Sequence, residues 1–153
     1  MWLRYTRIMS VFPLESRRVV NLNIALLFFV SIEPFLFNLI KTTELPAIVD
    51  PLAFADTTST LFAIDLAAMF GILGVFAFSL ADDERKLIAR SLMRQYRIEG
   101  AMWFLSGLVF AVSALPFFFA VKGVGDLSVR EDIWVVPLIF LYVGRLLPRL
   151  GKS

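Results

Sequence analysis

The sequence predicts an all-α fold: a polytopic membrane helical bundle with about four transmembrane helices and cytoplasmic N- and C-termini. Three observations carry this expectation. Hydrophobic residues fill 59% of the 153 positions and mean hydropathy is +0.79, beyond the roughly 45–50% apolar share of a soluble domain. Four apolar stretches approach or meet the roughly 17–25 residues needed to cross a bilayer. The loops between them alternate between rich and poor in Lys and Arg.

The spans are expected over residues 19–40, 57–80, 100–121 and 133–147. They form a transmembrane domain over 19–148, between an interfacial segment 1–18 and a cytoplasmic tail 149–153. Polar breaks punctuate them: Lys41-Thr-Thr-Glu44 with Pro46 and Pro51, then 81–86, then 122–126. At 1.5 Å per residue the last span reaches only about 22 Å, so it needs flanking Val129 or local thinning to cross. Trp103, Trp134 and Tyr142 are expected at headgroup level, where amphipathic rings are favoured. The run Asp82 to Arg97 reads as a cytoplasmic helix, with acids at its start, bases later and an apolar face of Leu87, Ile88, Leu92 and Met93. Its bases set topology or contact anionic headgroups.

Orientation follows from the basic residues. Twelve of the fifteen lie before span one, between spans two and three, or after span four; Lys41, Lys122 and Arg130 hold the opposite side. The positive-inside rule puts the crowded side in the cytoplasm. Ser16-Arg-Arg-Val-Val20 superficially resembles a twin-arginine signal, but the apolar run that follows reads as a retained helix.

Phe occurs 16 times, and a chain of this size has too little interior to hide so many large side chains beside the Leu, Ile and Val runs. Cysteine and histidine are both absent. That removes disulfides, thiol chemistry, the usual zinc sites and any imidazole acid or base. No acyl-transfer, phosphoryl-transfer or metal constellation is evident, so neither an enzyme nor a resident cofactor is expected. Nor is nucleic acid a partner, because the bases flank apolar spans.

Glu33 and Asp65 are the acids well inside spans, where a charge costs several kcal/mol unless neutralised, paired or faced into water. Each lies about 10–12 Å below the outer boundary. On neighbouring helices they would share a proton or bind a cation. Alternatively, both are protonated or hydrogen-bonded to Ser31, Asn38, Thr60 or a backbone carbonyl and only fix packing. Ala63, Ala67 and Gly71 form a small-residue ridge on span two, and Gly107 with Ala111 a shorter one on span three. Such ridges serve packing within one chain or association of subunits. Pro34, Pro116 and Pro137 are expected to kink helices or sit near their ends.

From Trp2 to Phe35 the order is Trp2, Tyr5, Ile8, Glu15-Ser-Arg-Arg18, then Asn21-Leu-Asn23, Ser31 and Pro34-Phe35. This resembles the end of the second helix and the third helix of the transmembrane-protein-175 family of potassium channels. Leu61-Phe-Ala-Ile-Asp-Leu66 is similar to its fourth helix, and the stretches holding Pro116-Phe117 and Pro137 are similar to its fifth and sixth. The resemblance implies a potassium channel subunit, with K⁺ as permeant ion. It also implies homo-oligomerisation or a partner chain, since the family's pore-lining first helix carries an Arg-x-x-x-Phe-Ser-Asp motif with no counterpart here. At the position of Glu33 the family leads one to expect an apolar residue, and at Asp65 a small polar one. Two alternatives stand beside a channel subunit: a non-conducting structural or interaction protein, and a proton-coupled transporter using Glu33 and Asp65. The expected location is the cell membrane of a prokaryote.

Reporter fusions after Ser153 test the orientation. Green fluorescent protein there is expected to fluoresce and alkaline phosphatase to be inactive; an active phosphatase would reverse the assigned topology.

Overall fold

The computed structural model describes residues 5–6, 9–10, 17–41, 50–82, 88–123 and 128–150. The loop markers at 42–49, 83–87 and 124–127 lie outside the described residues, as do Leu87 and the tail 151–153. In chain order the helices are α1 (Arg17–Ile40), α2 (Pro51–Leu80), α3 (Arg90–Ser113), α4 (Pro116–Ala120), α5 (Val129–Ile133) and α6 (Val136–Leu150). Among the described residues the fold is all-α, with one isolated β-bridge between Lys122 and Ser128. Helix α2 lies at the centre, packed on one side by α1 and on the other by α3, while α6 packs on α3.

Two helices, α1 and α2, are long and apolar enough to cross a membrane. They differ in how they spend that apolarity. In α2 half of the most apolar window is buried inside the molecule; in α1 only 17% is. Ile24, Phe28, Phe35 and Phe37 of α1 all face outward. A helix that is apolar all round yet exposed on most of its surface calls for cover by lipid or by another chain.

Helix α2 starts earlier than its apolar run suggests. Asp50 accepts a hydrogen bond from the Leu52 N–H at 2.9 Å, and Pro51 fills the first helical position with its φ already set. The helix is therefore 30 residues long, or about 45 Å. At its far end the Ala81 N–H closes onto the Ala77 carbonyl at 3.1 Å.

The helix that carries the expected third span runs from Arg90 to Ser113, so residues 90–97 of the segment read as a separate cytoplasmic helix form the first two turns of α3. The acids at 83 and 84, expected at that helix's start, lie outside the described residues. Pro116 accounts for the other end: it has no N–H to donate to Val112 and pushes the preceding residue out of the helical region. Leu115 is extended, with φ −63° and ψ 136°, and α4 restarts from Pro116. The expected fourth span begins likewise as the single turn α5, followed by α6 from Val136.

The small-residue ridges divide. A Cβ on Gly107 would stand 3.1 Å from the Ala67 carbonyl oxygen and 3.4 Å from the Gly71 nitrogen, so α2 and α3 cross backbone to backbone at this point. Ala63 is fully buried, whereas Ala111 faces outward, away from the seam. Trp103, expected at headgroup level, faces the interior of the bundle. It is buried at mid-helix with its ring 5.3 Å from that of Phe70, because α3 begins ten residues before the hydropathic stretch. Phe70 in turn stacks on Phe110, Phe110 meets Trp134, and Trp134 meets Phe62, in a line of rings with centroids 5.3–6.3 Å apart.

Gly107→Val should jam this crossing and cost about 1–3 kcal/mol, read as a lowered unfolding temperature in detergent. Ala111→Val, on the outward face, should stay within about 0.5 kcal/mol. Equal effects would place the seam elsewhere.

Candidate functional site

Two polar constellations sit in the apolar body. The first holds both acids expected from the sequence. Asp65 is buried, 4% exposed, on α2, and Glu33 is half-buried on the adjacent α1, close enough for its charge to act on Asp65. Two of the side chains expected to satisfy them are engaged elsewhere: the Ser31 hydroxyl donates to the Phe28 carbonyl at 2.7 Å, and Thr60 is engaged with Asp56 and Arg130. One carboxylate oxygen of Asp65, Oδ2, has no hydrogen-bond partner among the described residues. A buried acceptor without a donor is uncommon in a folded protein and marks a place where a proton, a water or a cation would be held.

The second constellation centres on Arg130, which the charge count placed simply on the outer side. It is fully buried. Its Nε donates to the Ser113 carbonyl at 2.8 Å, and Nη2 to the carbonyls of Ala114 and Leu115 at 3.3 and 3.1 Å. Nη1 faces Ser59 Oγ at 2.7 Å, Thr60 Oγ1 at 2.8 Å and the Asp56 carbonyl at 3.1 Å, with Asp56 Oδ1 at 2.8 Å as counter-charge. The Phe119 ring lies 5.2 Å from the guanidinium carbon, within cation–π range.

The local sequence explains why an arginine belongs there. Pro116 ends α3 and interrupts the backbone ladder at 113–115, where the Leu115 carbonyl takes the Phe118 N–H at 3.1 Å and the other carbonyls look to a side chain. A guanidinium supplies five N–H groups in a planar fork, enough to serve those carbonyls on one edge and the first turns of α2 on the other. Its charge also suits the negative end of the α3 dipole. Short helix α5 aims the side chain. Glu131 accepts from the Ser128 backbone N–H at 2.8 Å and the Ser128 hydroxyl at 3.2 Å, fixing the turn that carries Arg130. Trp134 completes the knot by donating its indole N–H to Ser113 Oγ at 3.1 Å.

No metal-binding group of three or more acids, Cys or His occurs among the described residues. Chemically, the arrangement offers a rigid clamp at one end of α2 and, five residues further along that helix, an acid with spare acceptor capacity. Five residues correspond to about 7.5 Å along the axis. Compared with known protein families, curated proteins and solved structures, the chain matches none.

Arg130→Met should cost about 3–5 kcal/mol, the range for breaking a buried ionic cluster, visible as a large drop in unfolding temperature. Arg130→Lys should recover less than half of it, since one ammonium cannot serve both edges of the fork. A methionine variant as stable as the parent would contradict the clamp.

Proposed function

We propose that the chain is a multi-pass membrane protein with cytoplasmic termini and that it serves, in an oligomer, as the supporting subunit of a cation-permeation assembly. Potassium is the permeant ion that the resemblance to the transmembrane-protein-175 family implies. The pore-lining helix comes from another segment or chain. The observation that carries the reading is Asp65: a carboxylate buried between apolar helices, with one oxygen unpartnered among the described residues and a second acid, Glu33, on the adjacent α1. Ionisable groups at membrane depth are costly to keep and typically belong to an ion or proton path. The outward apolar face of α1 supports the membrane setting and is the surface most open to lipid or a neighbouring subunit.

A second reading rests on the other constellation. The Arg130 clamp ties α2, α3 and α5 at one end, as expected of a structural or interaction protein that holds a fixed shape without conducting.

Potassium release from liposomes carrying the chain purified from its own membrane together with the partners that co-purify with it separates the two. Permeation predicts release above that of empty vesicles and a fall of about tenfold or more when the chain carries Asp65→Asn, equivalent to about 1.4 kcal/mol at the barrier. Vesicles of the co-purified assembly that retain potassium until a carrier ionophore is added would remove the permeation reading and leave the structural one.

A further inference from the structure

At the end of the bundle opposite Arg130, the first turn of α1, the last two turns of α2 and the middle of α3 enclose an open cavity of about 490 Å³. This falls within the roughly 300–1,000 Å³ typical of ligand sites. Its wall is mixed in character. Arg18, Arg97 and Asp82 supply its charged lining, and Val75, Phe78 and Phe104 its apolar lining. The Phe78 and Phe104 rings lie 5.8 Å apart. Each covers a glycine of the facing helix: a Cβ on Gly100 would meet Phe78 at 3.2 Å, and one on Gly74 would meet Phe104 at 2.5 Å. The two glycines let the rings approach the backbone of the facing helix, and a larger residue at 74 would force Phe104 to move.

We infer that this cavity seats one anionic phospholipid, its phosphodiester between Arg18 and Arg97 and an acyl chain along Val75, Phe78 and Phe104. Charge complementarity selects the ligand. Two guanidiniums against one carboxylate make the lining net positive, which suits the negative charge of a phosphodiester. Planar guanidinium forks suit phosphate oxygens. Arg18 and Arg97 are both exposed, available to a headgroup from outside. The apolar half of the cavity would be wasted on free phosphate and fits a chain. Basic pockets between helices on the cytoplasmic side are where anionic headgroups are held. The inference rests on the membrane reading above, with this end facing the cytoplasm, and is independent of whether the chain conducts.

Native mass spectrometry of the detergent-solubilised chain, titrated with phosphatidylglycerol or phosphatidylcholine of the same acyl chains, tests it. One phosphatidylglycerol should be retained in preference by between about five- and thirtyfold, for one or two bases at about 1 kcal/mol each. Arg18→Gln with Arg97→Gln should abolish the preference while the unfolding temperature stays unchanged, and Arg94→Gln, on the same basic run but outside the cavity, should leave it intact. Phe104→Ser should weaken retention of both lipids. Inorganic phosphate displacing phosphatidylglycerol at equal concentration would make this a free-phosphate site and overturn the lipid assignment. Equal losses in the Arg94 and Arg97 variants would reduce it to diffuse surface charge and overturn the site. A chain that binds neither lipid and stays in solution without detergent would instead refute the membrane reading.

Discussion

A guanidinium with no exposure to its surroundings is the constraint on which one end of this fold depends. Arg130 is held in its buried position where Pro116 breaks α3 and leaves carbonyls at 113–115 with acceptor capacity that the helix does not fill. Water would ordinarily satisfy such groups; in a low-dielectric interior a protein donor must. One arginine does so while also reaching Asp56, Ser59 and Thr60 across the helix gap. The desolvation of its charge is offset only because nearly every N–H has an acceptor and a carboxylate stands against it. The clamp therefore does more than attach α5: it sets how these ends of α2 and α3 face each other.

From that fixed end the rest follows along α2. The helices close on each other at Gly107, where Ala67 and Gly71 leave no side chain in the way, and the ring series from Phe62 through Trp134, Phe110 and Phe70 to Trp103 fills the space on either side. Asp65 lies between the clamp and the crossing. Its position is thus held from both sides, although its own carboxylate is incompletely bonded. An acid so rigidly placed and so poorly satisfied is a poor choice for packing alone, and this tension underlies the cation-handling proposal.

Much of the bundle is legible in the sequence because apolar runs report solvent preference directly. Helix α1 covers 17–40 where the apolar run covers 19–40, and α2 ends at Leu80, where that run ends. Hydropathy misleads where hydrogen bonding decides. The start of α2 was set by Asp50 and Pro51, and α3 slid ten residues toward the N-terminus because its bounds follow backbone geometry and Pro116. Trp103 moved from an expected interface to the interior for the same reason. Arg130 was missed because a charge in a short loop reads as exposed. Two signals pointed to it: Pro116 inside an apolar run, which promises orphan carbonyls, and Ser128-x-x-Glu131, which promises a helix start beside the arginine. That Asp65 and Glu33 are buried acids was legible; which groups would fail to satisfy them was not, since that depends on Ser31 and Thr60 being engaged elsewhere.

Hydrogen–deuterium exchange in lipid nanodiscs, comparing the parent with Arg130→Met, addresses the clamp most directly. If Arg130 holds these ends together, exchange rises in 113–120 and 128–135 and at the start of α2, while the Gly107 crossing and the far half of α2 keep their protection. Unchanged exchange around Ser113–Leu115, or a uniform rise along all the helices, would contradict an account in which this one side chain fixes this end of the bundle.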